Sequence, residues 1–236
     1  MPKITTIDLT KYYIDKKSST AVAALYKVNA TFPDGKFTVI LGASGSGKST
    51  LLKTLVGLLP ADEGKVYFDD KDVTDVSVQK RNVSLITQEY ALYPHMTVFD
   101  NVAYPLKTAK VPAEEIFRRV DDILNKLDIS LLSSRKIRQL SGGQAQRVAL
   151  ARALVKEPDV VFLDEPLSNL DENARAAIAD EIKKTAVSSG TTFVYVTHSV
   201  DEARRIADYV ALMQNGEITT ADYAENFFTH FNENDY

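Results

Sequence analysis

Nine consecutive residues, Gly42-Ala43-Ser44-Gly45-Ser46-Gly47-Lys48-Ser49-Thr50, carry the most specific chemistry in the chain. Through Ser49 they fit the pattern G-x-x-x-x-G-K-[ST] without a mismatch. Glycines let the main chain wrap closely enough for successive N–H groups to point at phosphate oxygens. A helix expected to begin near Lys48 adds its positive dipole end. Lys48 can then reach the β- and γ-phosphates of a nucleotide, and the Ser49 hydroxyl can ligate Mg²⁺. The bland alternative is a glycine-rich turn before an ordinary helix. The apolar run before the turn (Phe37–Leu41) and Leu51, Leu52, Leu55 and Val56 after it supply the strand–loop–helix context that a phosphate cradle needs.

A second acidic feature follows another apolar run, Val160-Val161-Phe162-Leu163-Asp164-Glu165. Asp164 stands where a carboxylate can hold Mg²⁺, and Glu165 where one can orient or deprotonate an attacking water. Alone, such a pair reads more readily as a helix cap. A phosphate cradle in the same chain turns the reading to a nucleotide-hydrolysing site. Leu140-Ser141-Gly142-Gly143-Gln144 is a second glycine turn, placed before an expected amphipathic helix, Ala145–Val155. Ser-Gly-Gly at a helix start can bind an anion, although a flexible N-cap is its default meaning.

Several elements must position these groups. Phe37–Leu41, Val83–Thr87, Val160–Leu163 and Phe193–Thr197 are apolar, β-rich runs, each ending at a polar or glycine-rich turn: Gly42, Gln88, Asp164 and His198. Continuous runs suit strands buried on both faces of a parallel sheet, and helical patterns between them favour an α/β fold. In such folds ligands gather beyond the carboxyl ends of the strands. Between Gln88 and Val160 the chain reads mostly as helix, with Ile116, Val120, Ile123 and Leu127 along one face. Residues 1–89 and 156–236 are expected to form a nucleotide-binding core, with a helical subdomain inserted at roughly 90–155. Ile4, Ile7 and Leu9, then Val22–Val28, read as a small antiparallel sheet. One more helix is expected around Asp222–His230, and Asn232–Tyr236 reads as a frayed end.

Composition narrows the classes. The 236 residues are 44% hydrophobic and 25% charged, which suits one large globular domain. Lys plus Arg (28) against Asp plus Glu (32) gives −4, which argues against a nucleic-acid partner. There is no cysteine, so disulfides and thiol catalysis are excluded, and the three histidines are too scattered for a local metal motif. No apolar run reaches the roughly 18–20 residues that span a bilayer, and the N-terminus lacks the apolar stretch of a signal peptide. A soluble chain is expected, so any role at a membrane needs another polypeptide to cross it.

Taken in order, Gly42–Ser49, Gln88, Leu140–Gln144, Val160–Glu165, Ser168–Asp171 and His198 resemble the motif set of ABC transporter nucleotide-binding domains over nearly the whole chain. The resemblance implies a RecA-like P-loop NTPase fold, ATP and Mg²⁺ as ligands, and head-to-tail pairing with a second ABC ATPase subunit, identical or homologous. In that pairing Ser141, Gly142, Gly143 and Gln144 of one subunit face the P-loop of the other. It also implies that Glu165, His198, Lys48 and Gln88 serve catalysis, and that Ser49, Gln88 and Asp164 attend the metal. Asp171 would belong to the loop that crosses to the opposite site. Tyr13 would stack on adenine, with Tyr12 competing for that role. Ser199 departs from the acidic residue many relatives carry after the histidine, and altered local hydrogen bonding is expected there.

Tyr90–Lys107 resembles the Q-loop region of bacterial importer ATPases, those for maltose-type carbohydrates above all, with polyamine and iron(III) importers sharing much of it. The implied partners are integral membrane permease subunits and an extracytoplasmic solute-binding protein, and the implied location is the cytoplasmic face of the cell membrane. Maltose-type relatives continue into a regulatory β-rich domain, whereas this sequence ends at Tyr236, and Tyr223 stands where a proline is common. Truncation and natural absence of that domain both fit. An exporter ATPase and a non-transport ABC protein are the competing readings.

Overall fold

The computed structural model describes residues 1–14, 20–168 and 172–232, with the backbone alone at 172–174. Strands β1 (Ile4–Ile14), β2 (Ala21–Phe32), β4 (Glu63–Phe68) and β5 (Lys71–Asp72) form an antiparallel sheet in the order β2-β1-β4-β5. A larger sheet has the order β10-β9-β3-β8-β7-β6. It contains β3 (Phe37–Leu41), β6 (Val83–Ile86), β7 (Val160–Asp164), β8 (Thr192–Thr197), β9 (Tyr209–Gln214) and β10 (Glu217–Tyr223). From β9 to β6 all neighbours run parallel, and β10 returns antiparallel on the edge. This is the α/β, P-loop-type architecture expected, with its N-terminal antiparallel sheet.

The parallel strands read as unbroken apolar runs because both of their faces are covered. Phe37, Val39 and Leu41 of β3, Val161 and Leu163 of β7, and Phe193 and Tyr195 of β8 face one apolar cluster. The alternate residues Ile40, Val160, Phe162, Val194 and Val196 face the other. Helix α1 (Lys48–Val56) fills that second cluster with Leu51, Leu52, Leu55 and Val56, against Leu25, Val28 and Phe32 of β2. On the opposite face lie α2 (Val98–Thr108), α3 (Ala113–Lys126), α4 (Gly142–Leu154) and α5 (Glu172–Ser189), followed by α6 (Val200–Ile206) and α7 (Ala224–His230).

Several expected boundaries move. The strand expected at Val83–Thr87 stops at Ile86, because Tyr90 N–H donates to the Thr87 carbonyl and turns the chain. The helix expected at Ala145–Val155 begins three residues earlier at Gly142, since Ser141 caps it, and Val155 is its C-cap. On α3, Ile116 and Val120 are buried as expected, Ile123 is half-buried, Leu124 is buried, and Leu127 lies just past the last turn. The helix expected around Asp222–His230 begins at Ala224, because Asp222 and Tyr223 still pair with β9. Asp171 and 233–236 lie outside the described residues.

Candidate active site

Parallel pairing brings the chemically useful residues to one end of the sheet. Leu41 is level with Thr197, Asp164 with Val196, and Ile86 with Leu163. Gly42 and His198 directly follow the paired residues Leu41 and Thr197, Glu165 follows Asp164, and Gln88 lies two residues past Ile86. Gln88 sits in the exposed turn after β6.

The glycine-rich loop runs from the end of β3 into α1. Ala43, Ser44 and Gly45 are exposed, while Gly42, Ser46 and Lys48 are buried. A Cβ on Gly42 would stand 2.4 Å from the Met213 carbonyl oxygen and 2.6 Å from Ser46 Oγ. Gly47, the N-cap of α1, has φ 107°, and a Cβ there would meet the Ala24 carbonyl at 2.4 Å. Both positions therefore need glycine for close approach. The loop is braced by Ser46 N–H to Ala43 O (3.2 Å) and Gly216 N–H to Ser46 O (2.9 Å). Ser46 Oγ is buried without a hydrogen-bond partner. Thr50, in the first turn of α1, accepts at its carbonyl from Thr54 Oγ1 (2.9 Å).

Lys48 Nζ curls back to donate to the carbonyls of Gly42 (2.7 Å) and Ala43 (2.8 Å). Burial pushes its pKa down, and the charges of Glu165 and then Asp164 pull it back up. Ser49 Oγ donates to Asp164 Oδ1 at 2.7 Å, across from α1 to β7. A hydroxyl and a carboxylate in contact beside a phosphate-shaped loop fit a hard divalent cation, which takes few protein oxygens and keeps its waters. Among the described residues no cluster of three or more His, Asp or Glu competes for such an ion.

Glu165 follows Asp164 with φ 44°, a left-handed conformation that costs a non-glycine residue on the order of 1–3 kcal/mol. The turn is held there from both sides. Glu165 N–H donates to Val196 O (3.1 Å), and the Ser168 hydroxyl donates to Glu165 O (2.9 Å). The result aims the carboxylate at His198, with Oε2 3.4 Å from Nδ1.

Two residues beside the site carry structural links that the sequence reading did not assign. Arg152, on α4, donates to the carbonyls of Ala91 (2.8 Å) and Tyr90 (2.6 Å) and lies over the Tyr93 ring at 5.7 Å. Tyr90 and Ala91 both have positive φ (59° and 46°), a pair of left-handed residues that Arg152 locks. The Tyr90 hydroxyl in turn donates to Pro166 O (3.0 Å), next to Glu165. Tyr90 stood out only as the start of the Tyr90–Lys107 stretch, and Arg152 carried no pattern of its own; only folding brings the two together.

The second glycine turn occupies another layer. Ser141 Oγ accepts from Gln144 N–H (3.4 Å) and Gln144 Oε1 accepts from Ser141 N–H (3.1 Å), a capping box at the start of α4. Ser141 and Gly142 are exposed, while Gly143 is half-buried, and a Cβ there would stand 3.4 Å from Ile178 Cδ1 on α5. Helix α4 packs on α2, α3 and β6, whereas α1 packs on β2, β6, β7 and β8. At the sheet end nearest the P-loop, Tyr12 and Tyr13 pair with Ala23 and Val22, one and two residues from Ala24, whose carbonyl faces Gly47. Both rings are partly exposed, and strand alternation sends them to opposite faces.

A lysine-bearing phosphate loop, an Asp–Ser pair and a carboxylate aimed at a histidine, at the carboxyl ends of parallel strands, define a P-loop nucleotide-binding domain. A family model described as ABC transporter matches residues 25–168. The dimeric structure of MJ0796, a bacterial ABC transporter cassette, is 32% identical, with 94% of this chain and 98% of that chain covered and a TM-score of 0.79. A post-hydrolysis state of the same cassette, bound to ADP and Pi, aligns over the same shares at 32% identity and a TM-score of 0.78. CbiO1 from Clostridium perfringens, part of the ABC transporter complex cbiONQ, is 29% identical, with 96% and 90% covered and a TM-score of 0.85. The chain belongs to the ABC transporter family, as an ATP-binding cassette.

Proposed function

We propose that this cassette hydrolyses ATP with Mg²⁺ at a site completed by a second cassette, and so drives solute import through separate membrane subunits. The observation that carries the reading is an anion-binding turn to spare. The loop at 42–50 has a lysine and carboxylates around it, while Ser141 and Gly142 present a capped helix start with no such neighbours among the contacts described. A head-to-tail pair would set each exposed turn on the other chain's nucleotide, and the similar cassette MJ0796 is described as a dimer. Asp171, by resemblance, reaches across.

In this reading Lys48 exchanges the Gly42 and Ala43 carbonyls for β- and γ-phosphate oxygens. Ser49 and Asp164 hold Mg²⁺, with Gln88 at hand on the neighbouring strand end. The ion supplies charge neutralisation on the phosphate oxygens when bound. Glu165 accepts the proton of the attacking water, and His198 steadies the γ-phosphate and the carboxylate. Ser141 and Gly143 donate to the γ-phosphate from the partner, and Tyr13 stacks on adenine, with Tyr12 on the other strand face as the alternative.

Among the described residues no helix is long and apolar enough to cross a membrane, so the reading assigns that task to permease subunits that hold the cassette at the cytoplasmic face. Import of a carbohydrate, with an extracytoplasmic solute-binding protein, rests on the Tyr90–Lys107 stretch; polyamine and iron(III) import are its neighbours. The purified chain should show Mg-dependent ATP hydrolysis, with kcat falling about 10²–10⁴-fold in Glu165→Gln. Unchanged turnover in that variant would remove Glu165 from the mechanism. Vesicles carrying the cassette with its co-purified membrane subunits should accumulate labelled maltodextrin; efflux, or co-purification with ribosomes, would reject the import reading.

A further inference from the structure

We propose that Glu202 is a positioning residue for hydrolysis: it fixes the turn that carries His198 against Glu165 and ties that turn to α5. This deepens the proposed function and rests on its assignment of Glu165 and His198. Ser199-x-x-Glu202 has the spacing of a capping box at the start of α6. Only half of the box forms. Ser199 Oγ accepts from Glu202 N–H (3.2 Å), but the Glu202 carboxylate turns away from the helix end and into the protein.

There Glu202 Oε2 accepts from both Thr197 Oγ1 (2.7 Å) and the Tyr195 hydroxyl (2.8 Å), while Oε1 lies 3.7 Å from Arg175 Nε on α5. Thr197 Oγ1 in turn accepts from Ser199 N–H (3.0 Å). His198 thus sits between Thr197, which donates to the carboxylate, and Ser199, whose N–H is held through the Thr197 hydroxyl. Burial, with Glu202's charge added, pushes the Tyr195 phenol upward and keeps it a donor. Glu202 is 8% exposed, and a buried carboxylate is retained at a cost that a helix cap alone does not require.

What these groups surround is the hydrolytic pair. A cavity of about 40 Å³, enough for a water molecule, is lined by Glu165, Ser168, Arg175, Thr197, His198 and Glu202. The Glu202 carboxylate is taken up by Thr197, Tyr195 and Arg175 and makes no hydrogen bond to the phosphate loop among the contacts described. Its effect on chemistry then passes through the placement of His198, and through it the approach to Glu165.

The test is steady-state ATPase kinetics on the full chain with its partner subunits, for Glu202→Ala, Glu202→Gln and Thr197→Val. Each is measured alone and with His198→Ala, and nucleotide affinity and thermal midpoint are followed in parallel. Misplacing a reacting group by about 1 Å costs up to about a hundredfold. Glu202→Ala should therefore lower kcat about tenfold to a hundredfold with KM for ATP within about twofold, and Thr197→Val should do the same if the alanine variant fails to fold. Glu202→Gln, which keeps the acceptor oxygen, should recover most of the rate. In the His198→Ala background the Glu202 substitutions should add little further loss. Losses that multiply with His198→Ala, a glutamine variant no better than alanine, or unchanged kcat would overturn the proposal. Full turnover in His198→Ala or Glu165→Gln alone would instead reject the underlying assignment, before any Glu202 result is read.

Discussion

At Gly42 the main chain passes so close to Met213 that no side chain fits. The glycine pattern was legible from sequence, because phosphate cradles need donors unobstructed by Cβ atoms. Its steric reason was not, because Met213 and Ala24 reach the loop from distant strands. Gly42→Ala must push its Cβ against a backbone carbonyl that cannot rotate away. Overpacking of that kind costs about 1–3 kcal/mol, so ATP affinity should fall about tenfold to a hundredfold in a fluorescent-nucleotide titration. Wild-type affinity would show that the loop relaxes at no cost. Glu165 is the complementary case. Its acidic identity was read from position after an apolar strand, yet its left-handed φ of 44° and its 3.4 Å approach to His198 depend on contacts from β8. Ser199, expected to alter local bonding, is the N-cap of α6 and binds Glu202 N–H.

Elements explain why the phosphate loop is held still. Arg81 is 5% exposed, and its guanidinium donates to Thr54 and Leu55 carbonyls (3.0 and 2.7 Å) in the last turn of α1 and to Thr74 and Val76 carbonyls (2.8 Å each). One planar side chain so joins the end of the P-loop helix to the chain leading into β6. Lysine cannot serve four carbonyls from one ammonium, and each buried acceptor left unpaired costs about 1–3 kcal/mol. Arg81→Lys should lower unfolding free energy by about 3 kcal/mol in urea titration, and a change near zero would contradict that role. On α3, Glu115 accepts from Arg118 and Arg119, and these two, Arg118 first, hold its carboxyl down to about 2 from 4.5. A depressed carboxyl binds its proton more tightly unfolded than folded, so its stabilisation is whole above about pH 4.5 and fades as pH falls through about 2. Glu115→Gln should therefore lose less stability than wild type between those values in acid-unfolding curves. Strands β3, β6, β7 and β8 were legible because burial on both faces leaves continuous apolar runs. Strands β4 and β9 were not picked out, since Glu-Gly-Lys opens the first and Met and Gln close the second. Helix α4 starts at two glycines, residues that argue against helix, and the Ser141–Gln144 box overrides them.

Across the molecule, the two glycine turns stand on helices of different layers, α1 between the sheets and α4 among the helices. The sequence could number the turns but not separate them; the fold does, and so turns a surplus motif into an exposed surface at Ser141 and Gly142. On the proposed function, a single cassette has a nucleotide loop in want of a second wall, and a wall in want of a nucleotide. Under the proposed function, binding of ATP favours the paired state by its differential affinity, and hydrolysis withdraws it. In the proposed function the cassette is thus a switch, with Glu165 setting its lifetime. The most direct test is light scattering on Glu165→Gln with and without Mg-ATP, beside the double variant Glu165→Gln/Ser141→Arg. With ATP the first should reach about twice the 26.1 kDa of one chain, and the second should bind ATP but remain a monomer. ATP-loaded Glu165→Gln that stays monomeric, or a dimer indifferent to Ser141→Arg, would contradict a site completed in trans.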